Sequence, residues 1–239
     1  MPALLASVRS LAEAELAVAG GCDWLDLKEP ASGALGAADP AEVAAVVAAF
    51  AARLPVSTTI GDCWDTPRDI PVRVAAHAAL GVPWVKFGVF ARGLDTDLMA
   101  ALTRAREIGP RLIAVNFAED PLDDAGIAQL AGLGLAGVML DTANKTAGSL
   151  REQLSPARLV AFVAAARRHG LIVGLAGSLR RDDIPPLAAL GPDYLGFRGA
   201  LCGGTRTRAL DMRALRDIRD CLSASSPSPL TAGVPHGVA

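Results

Sequence analysis

Only three of the 23 basic side chains in this 239-residue chain are lysines: Lys28, Lys86 and Lys145. The rest are arginines, which stay protonated near neutral pH, whereas a lysine amine gives up its proton when burial or a neighbouring cation disfavours the charge. Lysine used this sparingly suits positions where a neutral amine acts. Two of the three lie in short apolar runs, Trp24-Leu25-Asp26-Leu27-Lys28 and Trp84-Val85-Lys86-Phe87. Strand residues alternate faces, so Leu25, Leu27, Val85 and Phe87 would turn to one side, and Asp26, Lys28 and Lys86 to the other. The same parity turns Asn116, Asp141 and Arg198 to that polar side.

Two amines and two carboxylates facing one space are equipped for carbonyl chemistry. A neutral amine adds to an aldehyde or ketone to give an iminium, and neighbouring acids and bases move the protons. Lys28 is the expected nucleophile. Each of Lys28 and Lys86 disfavours the other's charge, so one of the two is expected to be neutral near pH 7. Asp26 and Asp141 would keep the other amine protonated and shuttle protons. Buried ion pairs that merely hold strands in register are the structural alternative. Lys145 follows Asp141 by four residues on a loop-like segment, where it could swing over the site as a lid or simply be a solvated charge.

These residues need a frame that brings distant segments to one place. Strands are expected over 3–8, 22–28, 56–60, 84–87, 112–117, 137–141, 171–176 and 194–198. Helices are expected over 11–19, 40–52, 68–80, 97–108, 123–130, 156–169, 182–190 and 209–222. Strict βα alternation in eight units predicts an α/β fold, a single (β/α)8 TIM barrel over 1–222, with a doubly wound open sheet as the alternative. Residues 223–239, rich in Ser, Pro and Gly without apolar periodicity, are expected to form a flexible C-terminal tail. In such a barrel every polar residue named above falls at the C-terminal end of its strand, the face where barrel enzymes carry their chemistry. The last two strands end in Ala176-Gly177-Ser178 and Arg198-Gly199-Ala200. Small residues there let backbone N–H groups approach an anion, so Gly177, Ser178, Arg198 and Gly199 are the expected phosphate site. Tight turns alone would also explain the glycines.

The rest of the composition excludes other classes. The chain is 51% hydrophobic with a formal charge of −2, so no basic excess is available for a nucleic-acid backbone or an anionic membrane. No apolar run is long enough to span a bilayer, and the N-terminal residues lack a secretory pattern. Cys22, Cys63, Cys202 and Cys221 have no CxxC spacing, which fits a reducing cytoplasm, and Cys63 and Cys202 are read as bystanders. His77, His169 and His236 all fall away from the strand ends, which argues against a His-based triad or metal site. There is no GxGxxG or GxxxxGK[ST] match, hence no nucleotide signature. The expected partner is a small molecule, and a homo-oligomeric assembly is compatible with the reading.

Several segments together resemble the (5-formylfuran-3-yl)methyl phosphate synthase family. They are Asp26-Leu27-Lys28-Glu29-Pro30 with Ser32-Gly33-Ala34-Leu35-Gly36-Ala37, Ser57-Thr58-Thr59-Ile60-Gly61-Asp62, Val85-Lys86-Phe87-Gly88, Met139-Leu140-Asp141-Thr142, Leu175-Ala176-Gly177-Ser178 and Phe197-Arg198-Gly199-Ala200. The resemblance implies a (β/α) barrel that condenses two molecules of glyceraldehyde 3-phosphate into a furan aldehyde phosphate, a precursor of methanofuran-type one-carbon carriers. It implies a Schiff base on Lys28, a proton-accepting Lys86, catalytic positions at Asp26, Asp141 and Lys145, and no metal or organic cofactor. A Schiff-base aldolase for another phosphosugar, or a non-catalytic barrel that binds phosphometabolites, are the alternatives. The chain departs from the archaeal pattern of that family in a shorter segment after the fifth strand, Asn116-Phe117-Ala118-Glu119-Asp120, and in its Pro-rich tail.

Overall fold

The computed structural model describes residues 1–61, 63, 66–89 and 94–225. Asp62 of the quoted segments and residues 226–239 of the expected tail lie outside the described residues. Eight strands, β1 (Ala3–Val8), β2 (Trp24–Leu27), β3 (Val56–Thr59), β4 (Trp84–Val89), β5 (Arg111–Phe117), β6 (Gly137–Asp141), β7 (Ile172–Leu175) and β8 (Tyr194–Phe197), form a closed barrel in sequence order. Every neighbouring pair is parallel, and β8 returns to pair with β1. The connecting helices are α1 (Leu11–Ala19), α2 (Pro40–Phe50), α3 (Ile70–Ala79), α4 (Thr96–Ala105), α5 (Asp124–Gly132), α6 (Leu150–Gln153), α7 (Pro156–Arg168), α8 (Ile184–Ala188) and α9 (Met212–Ala224). This is the TIM barrel that the alternation predicts.

Local chemistry starts the eight expected helices within three residues of the positions read from the sequence. Ser10, Asp39, Asp95, Asp123, Ser155 and Asp211 each cap the first turn of a helix with a side-chain oxygen, taking a backbone N–H that would otherwise lack a partner. Pro40 and Pro156 follow their caps at the first helical position, where a missing N–H is harmless. The short helix α6 and the 3-10 turns at Pro30–Ser32 and Gly199–Cys202 were too brief for periodicity to mark them. Strand ends shift by a residue or two. Cys22 and Asp23 precede β2, and Lys28 lies just past it, its N–H donating to Val8 O at 3.0 Å.

Two apolar layers result. The larger lies between strands and helices, with Leu4, Leu25, Val85, Leu140 and Phe197 on the strand side. The smaller fills the lumen, with Leu5, Trp24, Trp84, Ile113, Val115, Phe117, Met139, Ala176 and Tyr194. Trp24 stands at the centre of an aromatic floor, its ring 5.0 Å from Trp84 and 5.1 Å from Tyr194, centroid to centroid. Tyr194 fits because residue 174 is glycine, where a Cβ would lie 2.1 Å from the Tyr194 ring.

One parity expectation needs correction. Val115 and Phe117 register with Met139 and Asp141 and face the lumen, so Asn116 faces the helices. There its amide is fully buried and donates to Ala114 O at 3.3 Å. β5 is apolar on both faces, and a lone Asn does not say which face is inward.

Candidate active site

Apart from Asn116, the polar residues expected on the lumen side gather at the C-terminal mouth in two tiers. The lower tier rests on the aromatic floor. Lys86 is 1% exposed, with its Nζ 2.9 Å from Asp26 Oδ1, 5.2 Å from the centroid of the Tyr194 ring and 6.0 Å from that of Trp24. The ion pair leaves the amine without a well-directed hydrogen bond. Burial pushes the Lys86 amine below the usual lysine range; Asp26 opposes that shift, and the nearby charge of Lys28 adds to it. The Lys86 amine is therefore displaced toward its neutral form. Asp26 also accepts hydrogen bonds from Ser57 Oγ at 2.6 Å and Ser7 Oγ at 3.4 Å.

The upper tier lines a cavity of about 730 Å3 that opens at the mouth and includes Lys28, Asp141 and Lys145 in its wall. Lys145 forms an ion pair with Asp141, and Asp141 Oδ1 accepts the Thr142 N–H at 2.7 Å. Burial alone would raise the Asp141 carboxyl, but the charges of Lys145 and Lys28 hold it below the usual carboxylate range. Burial lowers the Lys145 amine against the pull of Asp141, with Lys28 and Arg206 adding repulsion. Lys145 is thus seated on Asp141. Its loop is pinned from both sides. Glu119, in the short segment after β5, accepts the N–H groups of Ala143 at 3.0 Å and Asn144 at 2.9 Å, and Ser178 Oγ donates to Lys145 O at 3.1 Å.

The expected anion site divides. Gly177, Ser178, Arg198 and Gly199 all line the cavity. Gly177 has φ +110°, and a Cβ there would lie 2.7 Å from Thr142 Cγ2 and 2.9 Å from Thr142 N. Ser178 has φ +47°, alone among the described non-glycine residues in having positive φ. Such backbone is uncommon and concentrates at ligand sites. The Arg198 guanidinium, expected to supply charge, is already engaged. Nε donates to Arg206 O, Nη1 to Ser7 O and Glu13, and Nη2 to Glu13 and Arg208 O. Its charge is neutralised by buried Glu13 of α1, so what this turn offers an anion is backbone rather than guanidinium.

Three features escaped sequence reasoning. Arg206 lines the cavity and donates to Gly33 O at 2.6 Å, tying the loop after β8 to the loop after β2, but it is one arginine among many. Glu119 acts through backbone contacts that no spacing reveals. Ser57 carries a polar side chain into the lumen from β3, where its parity with Thr59 was readable but its partner was not. Two of the histidines sit where expected, His77 Nδ1 being 2.8 Å from Thr58 Oγ1 on the helix side and His169 following α7 within 3.1 Å of Asp124, while His236 lies outside the described residues.

Comparison with known proteins adds an independent line. The model of the 4-HFC-P synthase family matches residues 4–219. The chain is 46% identical over 212 residues to a Methylorubrum extorquens protein provisionally named a (5-formylfuran-3-yl)methyl phosphate synthase, covering 88% of this chain and 87% of that one. It is 35% identical over 237 residues to the (5-formylfuran-3-yl)methyl phosphate synthase of Methanopyrus kandleri, covering 93% of this chain and 99% of that one. Among solved structures, phosphoribosyl anthranilate isomerase from Thermus thermophilus superposes with a TM-score of 0.67 at 17% identity, over 94% of this chain and 99% of that one. At that identity the likeness speaks for the barrel alone.

Proposed function

Because the chain belongs to the 4-HFC-P synthase family, we propose that it condenses two molecules of glyceraldehyde 3-phosphate into (5-formylfuran-3-yl)methyl phosphate, releasing inorganic phosphate and water through an imine on Lys28. The observation that carries this reading is the stacking of two lysine–aspartate pairs at one barrel mouth, with Lys28 on the cavity wall close enough for its charge to act on both.

Lys28 Nζ adds to the carbonyl carbon of one triose, and departure of water leaves the imine. Loss of a proton from the adjacent carbon turns it into an enamine, which attacks the carbonyl carbon of the second triose. Furan formation then needs elimination of one phosphate and a net loss of two waters, and hydrolysis of the imine restores the amine. Each elimination requires a base at carbon and an acid at the leaving oxygen. Lys86, held toward neutrality by burial, suits the first role. Lys145 on Asp141 suits the second, since that pair can deliver a proton while the carboxylate keeps its charge. The retained phosphate would rest on the backbone of Gly177, Ser178 and Gly199. No step calls for a metal or organic cofactor. The product suits a cytoplasmic route to methanofuran-type carriers, and its formation is a carbon–oxygen lyase reaction.

Incubation with glyceraldehyde 3-phosphate should yield a furan chromophore together with free phosphate. Borohydride added during turnover should leave a stable adduct on the peptide containing Lys28, read by mass spectrometry. An adduct confined to Lys145 would reassign the nucleophile. Turnover with no lysine adduct would remove the imine, and condensation without furan would point to an aldolase.

A further inference from the structure

We propose that Ser57, anchored by Trp24, is a positioning residue that governs how firmly Asp26 holds the proton of Lys86. The proposal deepens the function given above and rests on that reading for its catalytic meaning, but the chain of contacts stands by itself. Trp24 Nε1 donates to Ser57 Oγ at 3.1 Å. A hydroxyl that accepts on one side has one proton left to direct, and two acceptors are within reach: Asp26 Oδ1 at 2.6 Å and Leu25 O at 3.4 Å. The shorter contact, to a charged oxygen, is the stronger, so the proton goes to Asp26. The same Oδ1 atom faces Lys86 Nζ at 2.9 Å. One carboxylate oxygen is therefore shared between a hydroxyl and an amine, and all four side chains are buried.

Sharing weakens the hold on the amine. Negative charge drawn toward Ser57 is unavailable to Lys86, so the hydroxyl helps burial keep that amine ready to accept a proton. The other groups bearing on the pair are few. Lys28 at the end of β2 repels the ammonium and Asp141 of β6 attracts it. Tyr194 of β8, its hydroxyl kept protonated by burial, presents its ring face. Ser7 of β1 reaches the other Asp26 oxygen at 3.4 Å. Toward the lumen β5 presents Ile113, Val115 and Phe117, and β7 adds Ala176, so neither brings a charge. Deleting the Ser57 hydroxyl leaves the carboxylate charge to Lys86, which should then keep its proton to higher pH.

With only three lysines in the chain, the titration can be read directly. Lysine labelled with 13C at Cε gives three resonances, each assigned by a lysine-to-arginine substitution, and none requires substrate. In Ser57→Ala the Lys86 midpoint should rise by about one pH unit, as expected for loss of one hydrogen bond to a charged group. Ser57→Thr should return it toward the parent value. Trp24→Phe, which keeps an aromatic ring but frees the hydroxyl to turn to Leu25, should move it the same way by less. If furan formation is measurable, the rising limb of its pH profile should move with the resonance. A Lys86 midpoint unchanged in Ser57→Ala, or lowered in either variant, would overturn the proposal even if thermal stability fell. Absence of furan from the parent protein with the shift intact would count against the synthase reading alone.

Discussion

Lys86 sits in an environment far from what a lysine prefers. A buried amine on an aromatic floor with one carboxylate partner binds its proton less tightly folded than unfolded. Between the lowered folded value and the usual lysine value the unfolded chain carries more protons, so Lys86 makes stability rise with pH across that interval. Lys145 acts in the same direction, while Asp141, held low, contributes stability above the usual carboxylate value that is lost as pH falls through its folded value. Lys86→Met should therefore flatten the alkaline rise in urea midpoint, measured from about pH 7 to about pH 10. It should also abolish furan formation, because the thioether accepts no proton. A rise in stability as steep as in the parent would mean that the amine is an ordinary charged lysine.

At the scale of the element, the turns after β7 and β8 look alike in sequence and differ in structure. Gly177 combines φ +110° with a Thr142 backbone in the way of any Cβ, whereas Gly199 has an ordinary φ and its nearest obstacle to a Cβ is 3.8 Å away. Gly177→Ala should destabilise the protein by about 1–3 kcal/mol in urea unfolding. Gly199→Ala should leave stability nearly unchanged and alter KM for phosphorylated substrate. Equal losses in both variants would refute the distinction. The same contrast marks how much could be read beforehand. The facing of β2, β4 and β6 is legible in the sequence because their polar side chains mark the inward face, which brings Asp26, Lys28, Lys86 and Asp141 together even where the strand ends shift. β5 was not, being apolar on both faces, and Asn116 was assigned to the wrong one. Parity fixes where a side chain starts and says nothing about how far it reaches. Arg198 thus lines the cavity as parity predicts, while its guanidinium reaches to Glu13.

That pair acts on the whole molecule. Glu13 stands on the first helix and Arg198 follows the last strand, so the bridge joins the first and last βα units along the β8–β1 seam. Arg198→Met would leave buried Glu13 with Arg9, 3.5 Å away, as its remaining cationic partner and should cost about 1–3 kcal/mol of folding stability. Glu13→Gln in the same background should restore part of the loss, a coupling that a double-mutant cycle by urea unfolding measures. Strict additivity of the two changes would show that the bridge plays no part in closure. Closure has one more consequence. With hydrogen bonding unbroken from β8 back to β1, the ring has no first strand, and the returns from helix to strand, such as Gly109 and Pro110 ahead of β5, lie at the opposite end from the reactive groups. The order in which Lys28, Lys86, Asp141 and Lys145 occur along the chain is thus immaterial to the proposed mechanism, which depends only on their order around the axis.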